Sequence, residues 1–300
     1  MYCLIQDLRE KFPVRNLCQV LKISRNAYYS WLQGRTYQAS TEKTIILKLV
    51  KEIFDRHKRR YGARRIREEL KDMGYHIGIY RIRSLMKQQG LVAIQPKSFV
   101  PKTTASNPGL RRVPNLLLDE QNLPTAPNQV IVGDITYLPS AEYGYNIWLY
   151  LAIWLDLFSR KIVGWSVDRH METSLVIRAM SQVIRRRQPE KGFIVHSDGG
   201  GQYGCGQFRR LLSLHEFRQS MTRKDNHYDN AFIESLFSRF KAELLNGKSF
   251  LGLADAKAKT FDYIEGYYNT IRKHSSLGYL SPDQFEEQFW MDSWKNQNQL

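Results

Sequence analysis

The sequence predicts an α/β protein in which all-α helix-turn-helix units precede a mixed sheet with helices on its faces. Three observations carry that expectation. Apolar residues recur at helical spacing up to about residue 95, whereas β-branched and aromatic runs take over after residue 129. Prolines crowd the stretch between, at Pro96, Pro101, Pro108, Pro114, Pro124 and Pro127. Charge divides at the same place: of the formal +16 over 300 residues, +14 falls in residues 1–128 and only +2 in 129–300. With 42% hydrophobic and 12% aromatic residues, the chain has ample material for a packed core, which excludes wholesale disorder.

Residues 1–35 read as short helices. Val14, Leu17, Val20 and Leu21 share a face, Lys22-Ile23 supplies a tight turn, and Ser24 caps a second helix through Tyr28 and Trp31 to Gly34. Such a pair is the geometry that sets a second helix into a DNA major groove, with Arg25 at its start, although it is also common in α domains with other roles. Residues 42–95 form a second helical unit: Ile45, Ile46, Leu49, Val50 and Ile53 mark one helix, the stretch Tyr61 to Arg67 leads into a second with Leu70 on its face and Gly74 at its end, and Ile79 to Gly90 is a third. Between the first two lies a basic run that includes Arg59, Arg60, Arg64, Arg65 and Arg67, with no acid between Arg56 and Arg67. A solvated helix face does not need that density, so these arginines are candidates for phosphate contact.

Residues 96–128 read as an extended connector. Strands follow at Val130–Leu138, Ile147–Leu155 and Lys161–Val167, separated by turn clusters and therefore readable as an antiparallel meander. A helix over Thr173–Arg187, a strand Phe193–His196, a helix through Phe208 to Leu214, a strand at Arg218–Met221 and a long helix Tyr228–Leu245 complete the pattern.

The basic arm attracts polyanions, because each phosphate it neutralises releases condensed counterions. Nucleic acid is the leading partner. A membrane is excluded as a spanned medium: the longest apolar run, Ile147 to Phe158, is broken by Asp156 and is shorter than the ~20 residues needed to span. The first residues lack the pattern of a secretory signal, and Cys3, Cys18 and Cys205 form neither a C-x-x-C pair nor a disulfide framework, which points to a reducing cytoplasm.

Three acids are badly placed for ordinary surface roles. Asp134 sits inside a strand among apolar neighbours, and Asp198 directly follows the apolar Phe193-Ile194-Val195 and precedes three glycines. Glu234, Ser238 and Lys241 lie at i, i+4 and i+7 on the last helix, beside its apolar face. Carboxylates at ~4 Å repel by roughly 1 kcal/mol in water and about 4 at an effective dielectric of 20, so a cluster of them calls for a cation. Magnesium takes oxygen ligands and leaves positions for phosphate oxygens; two such ions suit an in-line phosphoryl displacement. Read from the residues alone, each acid keeps a plain alternative as a buried hydrogen-bonding group, an Asx turn or a solvated helix residue, and Asp156, Asp168, Asp229 and Glu243 compete with them.

The motifs around these acids resemble bacterial insertion-sequence transposases of the second-frame type, which share the retroviral-integrase catalytic core. The resemblance rests on Asp134 in Asp-Ile-Thr-Tyr, on Asp198 in His-Ser-Asp-Gly with Gln202-Tyr203 after it, and on Glu234 in Tyr-Asp-Asn-Ala-Phe-Ile-Glu-Ser, with 35 residues between Asp198 and Glu234. It extends to Lys241, to Tyr268-Asn269, Arg272, His274, Leu277-Gly278 and Ser281-Pro282, and to Tyr61-Gly62-Ala63-Arg64-Arg65-Ile66, covering about residues 42–286. Ile131 stands where the family usually has Trp, Gly133 replaces a polar residue, and Lys224-Asp225-Asn226 departs from the common glycine-containing form.

The resemblance implies an RNase H-like core over residues 129–286, a five-stranded mixed sheet with flanking helices, followed by a tail over 287–300. It implies that Asp134, Asp198 and Glu234 coordinate two Mg2+ ions, with Mn2+ as a substitute, and that Lys241 contacts DNA phosphate. The implied activity is metal-dependent cleavage of the element's ends and strand transfer, or DNA integration, into target DNA. The implied partners are the terminal inverted repeats and target DNA, a homo-oligomer of at least two copies, and an upstream-frame DNA-binding product, all in the bacterial cytoplasm at the nucleoid. Two other readings stay open: a DNA-binding regulator without catalysis, and an RNase H-like nuclease without strand transfer.

Overall fold

The computed structural model describes residues 1–34, 41–96, 113–142, 144–223 and 230–298. Six helices come first: α1 (Tyr2–Leu8), α2 (Val14–Val20), α3 (Arg25–Leu32), α4 (Thr41–Arg56), α5 (Ala63–Asp72) and α6 (Ile79–Gln88). The first three close on a small core of their own, Ile5, Cys18 and Tyr28, with Trp31 stacked on Tyr2. Lys22 makes the expected turn in left-handed backbone, and Ser24 is the N-cap of α3. Val20 departs from its expected place: it is exposed, because Leu17, Leu21 and Ile23 already surround Cys18. Helices α4, α5 and α6 bury Ile46, Val50, Ile53, Ile66, Leu70 and Ile82, and this cluster is continuous with the core of the sheet domain.

Five strands follow: β1 (Val130–Glu142), β2 (Tyr145–Asp156), β3 (Ile162–Asp168), β4 (Ile194–Ser197) and β5 (Arg218–Met221). Helix α7 (Thr173–Arg187) separates β3 from β4, and α8 (Gly201–Gly204) with α9 (Gly206–Leu214) separates β4 from β5. After β5 come α10 (Ala231–Leu245), α11 (Leu253–Tyr263) and α12 (Pro282–Gln297). The sheet runs in the order β3-β2-β1-β4-β5, with β1, β2 and β3 antiparallel and β1, β4 and β5 parallel. The mixed five-stranded sheet with helices is therefore as expected. Leu116–Leu118 and Glu120–Asn122 are short 3-10 turns in the stretch that reads as a connector, which otherwise lies largely outside the described residues.

β1 is long and β4 is short, and that mismatch opens the site. Pairing between them ends at Gly133↔Ser197, so on that side β1 is unpaired from Asp134 until Phe250 bridges it at Pro139–Ala141. The opening lies where the chain turns from antiparallel to parallel neighbours, at the carboxyl end of β4, which is where open α/β sheets take ligands.

Gly133 has a packing cause. It faces Trp154 across β1 and β2, and a Cβ at position 133 would lie 2.2 Å from the indole ring. Trp154 is fully buried, stacked on Phe208 and edge-on to Tyr203. The bulk that a tryptophan at 131 would supply thus comes from position 154, with Gly133 making room. Gly133→Ala should cost about 1–3 kcal/mol by overpacking. In thermal unfolding, a companion Trp154→Leu should be markedly less harmful in the Gly133→Ala background than alone; additive losses would refute the coupling.

The helical unit is clamped to the sheet domain by a buried polar network centred on Glu243 of α10. Arg272 donates to that carboxylate through Nε at 2.9 Å and Nη2 at 2.7 Å, and the Tyr263 hydroxyl donates at 2.9 Å. From the helical unit, Arg65 approaches the same carboxylate at 3.7 Å and donates to the Lys273 carbonyl at 2.9 Å. Arg60 donates to the Glu243 carbonyl and lies over the rings of Tyr263 and Tyr267. Tyr61 accepts from the Lys273 N–H at 2.8 Å, His57 stacks on Tyr61, and Lys273 pairs with Asp72. The rest of the C-terminal signature is also scaffold: Asn269 bonds both backbone groups of Ile162, and Ser281 with Gln284 forms a capping box at the start of α12.

This clamp sets an acid limit. Burial, then the charges of Arg56, Arg60 and Arg65, push His57 down to about 4. Burial pushes the Glu243 carboxyl up, but the hydrogen bonds and charge of Arg272, then Arg65, hold it below its usual range. Both groups have lowered values in the folded state, so the unfolded chain binds more protons as pH falls. Stability should fall between pH 6.5 and about 4 through His57, and further as pH drops through and below the ordinary glutamate range through Glu243. Unfolding midpoints across that range should decline less in His57→Phe than in the parent; an equal decline would contradict the assignment to His57.

Candidate active site

Asp134 and Asp198 are neighbours by register. The β1–β4 rungs end at Gly133 and Ser197; Asp134 is the next residue of β1, and Asp198 is the first residue after β4. The Asp134 Oδ1 accepts from the Ile135 N–H at 2.7 Å, and the Asp198 Oδ1 accepts from the Gly200 N–H at 3.0 Å. A Cβ at position 200 would stand 2.9 Å from that oxygen, so glycine lets the backbone close around the carboxylate. Tyr203 walls the site from behind: burial, then the charges of Asp134 and Asp198, raise its phenol well above the usual range.

Glu234 and Lys241 approach from α10. Glu234 lies exposed in the first turn of the helix, and Lys241 is half buried two turns later. Burial, then the Asp198 charge and more weakly Glu234, raise the Asp134 carboxyl well above the usual range, while the Ile135 N–H and the Lys241 ammonium oppose that rise. Lys241 is pulled down by burial and held up by Asp134. The two aspartates, Glu234 and Lys241 thus act on one point in the fold. Even so, among the described residues no three Asp, Glu, His or Cys side chains are close enough to hold one ion as they stand. The two aspartates are fixed by strand register, whereas Glu234 is held only by the position of α10.

Three competing acids have other work. Asp156 accepts from the backbone of Asn128, Phe158 and Ser159, Asp168 pairs with Arg178, and Glu243 centres the clamp. Asp229 lies outside the described residues, as do Lys224-Asp225-Asn226 and Tyr228. The arginines expected at DNA separate into two groups. Arg25, Arg59 and Arg64 are exposed. Arg67 donates to Glu68, and Arg60 and Arg65 are half buried against the sheet domain, where their donors meet carbonyls and Glu243. Sequence spacing does not separate these groups, because facing a second domain and facing solvent give the same helical pattern.

Arg160 and Arg239 line a basic cleft along α10 with Phe232, which the helical spacing assigns to the apolar face but which is exposed because it lies at that face's edge. No sequence pattern signals the two arginines.

Family models match in the same order along the chain. An HTH-like domain matches residues 41–99, and integrase core domains match residues 124–227 and 215–282. Transposase InsF for insertion sequence IS3A of Escherichia coli (strain K12) is 37% identical over 288 residues, covering 95% of this chain and 98% of the relative. The chain belongs to the IS3 family of insertion-sequence transposases. The transposase for insertion sequence element IS904 of Lactococcus lactis is 40% identical over 256 residues, covering 85% of this chain and 99% of that one. Among solved structures, the HTLV-2 integrase catalytic core domain in complex with magnesium aligns at TM-score 0.40 and 19% identity, over 54% of this chain and 98% of that chain. The transposase is therefore an enzyme of the polynucleotidyl-transferase kind that acts on DNA, with an integrase core and an HTH-like unit. Among its described residues no helix is long and apolar enough to cross a membrane.

Proposed function

We propose that Asp134, Asp198 and Glu234 are the catalytic acids of this transposase and that together they hold divalent metal, two Mg2+ ions or Mn2+ in their place. The observation that carries this reading is geometric: Asp134 and Asp198 follow the last β1–β4 rung side by side, and α10 brings Glu234 and Lys241 to the same place, so that Asp198, Glu234 and the Lys241 counter-charge all act on the Asp134 carboxyl. Such a donor set fits hard cations, which take carboxylate oxygens and offset the repulsion. Bound metal supplies activation of the attacking oxygen and stabilisation of the leaving oxygen in an in-line displacement.

The chain's own groups then have separate tasks. The rigid β1–β4 register places two carboxylates side by side, and Gly200 lets its N–H close on one of them. Tyr203 and Trp154 close off water from behind, and Lys241 presents positive charge to a phosphate. Water first attacks the phosphodiester at the element's end, leaving a 3′-hydroxyl. That hydroxyl then attacks target DNA, one P–O bond forming as another breaks, with no covalent protein intermediate. Handling two ends implies at least a dimer. The exposed Arg25, Arg59 and Arg64 are offered for DNA contact, with an upstream-frame product as a second DNA-binding partner, in the bacterial cytoplasm.

The test is a labelled end duplex of the element incubated with target plasmid and Mg2+. Joined products are expected, and none with EDTA. Nicked DNA without joined product would favour a nuclease, and binding without either would favour a regulator.

A further inference from the structure

We infer that the cleft between the helical unit and α10 binds an unpaired DNA strand, with its phosphates on Arg64, Arg83 and Arg239 and a base stacked at Phe232. The inference rests on the proposed active site only for the direction from which the strand arrives. The cleft encloses about 620 Å³ and is lined by seven arginines and one acid, Glu243. That acid is already engaged by Arg272 and Arg65, and Arg60 is tied to its carbonyl. Arg64 and Arg83 come from α5 and α6, Arg239 from α10 and Arg160 from the turn after β2. These four form no ion pair with a carboxylate among the described residues. Arginines gathered without acids repel one another unless a polyanion joins them.

The second observation is aromatic. Phe232 is half exposed at the cleft, and the Arg160 guanidinium lies 4.3 Å from its ring centre, with Nη1 buried and without a hydrogen-bond partner. A basic groove beside an exposed ring is the arrangement that holds single strands, phosphates on the cations and a base on the π face. A duplex keeps its bases stacked on each other and has none to offer Phe232.

The place of the cleft gives it a role. Glu234 and Lys241 share one face of α10, whereas Phe232, Ser235 and Arg239 share another, turned by roughly two-fifths of the circumference at about 100° per residue. A strand leaving the acids crosses the exposed ridge of α10 and enters the cleft about one helix diameter away, roughly 10 Å. The cleft would then hold the strand beside the cut, frayed from its complement.

The experiment measures binding of a fluorescent 20-mer of thymidylate and of a 20-base-pair duplex to the full chain, in EDTA, across a salt series. Arg83→Glu with Arg239→Glu should weaken the single strand at least tenfold and lower the salt slope by about 1.4, at about 0.7 per phosphate. Phe232→Ala should weaken the single strand about tenfold and the duplex little. Arg185→Glu, an exposed charge change on α7, should do neither. All of these positions are exposed, so unchanged unfolding midpoints are expected and check the fold. Unchanged affinity and slope in the double variant, equal weakening of strand and duplex by Phe232→Ala, or an equal loss in Arg185→Glu would overturn the inference. These readings need no metal, so an active Asp134→Asn would sink the proposed active site and leave the cleft standing.

Discussion

Asp134→Asn is expected to lower both end cleavage and strand transfer at least about a thousandfold, or roughly 4 kcal/mol of transition-state stabilisation, while DNA binding survives. The substitution preserves shape and removes one charge. Without divalent metal the variant should unfold at a higher temperature than the parent, because Asp134 is a carboxyl raised by burial and by the charges of Asp198 and Glu234. An amide avoids that repulsion and still accepts from the Ile135 N–H. Titrating Mg2+ should stabilise the parent and leave the variant flat, since only a state that binds ligand gains from it. Asp198→Asn and Glu234→Gln should match the loss of activity, with a smaller stability gain for the exposed Glu234. Full strand transfer by any of the three removes that residue from the site. A variant less stable than the parent in EDTA would mean that the Asp134 charge is compensated within the fold.

Arg272→Met should be the most destabilising substitution in the clamp, by about 3–5 kcal/mol, because it leaves the Glu243 carboxylate buried without its bidentate partner. Arg272 is 2% exposed and Glu243 7%, so water cannot replace the lost donors. Arg65, at 3.7 Å, and the Tyr263 hydroxyl are too few to compensate. Combining Arg272→Met with Glu243→Leu should recover most of the loss, since a buried ion pair exchanged for apolar groups is often near neutral. Chemical unfolding of the two singles and the double closes the cycle; a double variant as unstable as the sum of its parts would show that the pair is not the centre of the clamp. Activity has its own stake in this clamp. Glu243 and Glu234 ride on the same helix, so loosening one end of α10 moves the acid at the other.

Much of this protein was legible in its residues. The β-branched and aromatic runs at 130–138, 147–155 and 161–167, bounded by turn clusters, foretell β1, β2 and β3, and the helical spacing over Thr173–Arg187 matches α7, because burial leaves its mark on local composition and period. Asp134 and Asp198 stood out because a carboxylate inside or at the end of an apolar strand has few uses. Other features were not legible, for identifiable reasons. Gly133 departs from the family pattern for a reason that lies across the strand pair, where Trp154, twenty-one residues on, fills the space a side chain would need. Arg60 and Arg65 looked like part of a basic DNA-facing row, yet their donors meet Glu243 and the Lys273 carbonyl, about two hundred residues later. Tyr268, Asn269, Arg272 and His274 read as a C-terminal signature without a role, and Asn269 and Arg272 prove to be scaffold, bonded to Ile162 and Glu243.

By itself the sequence determined the order of helices and strands, the division of charge between a basic arm and a near-neutral core, and the family to which the chain belongs. All of these are properties of local periodicity, composition and motif order. The tertiary structure alone decided which charges face one another: the aspartates just past the last β1–β4 rung, the arginines around Glu243, and the uncompensated arginines along α10. Electrostatic energy depends on separation in space and on burial, and neither is a function of distance along the chain.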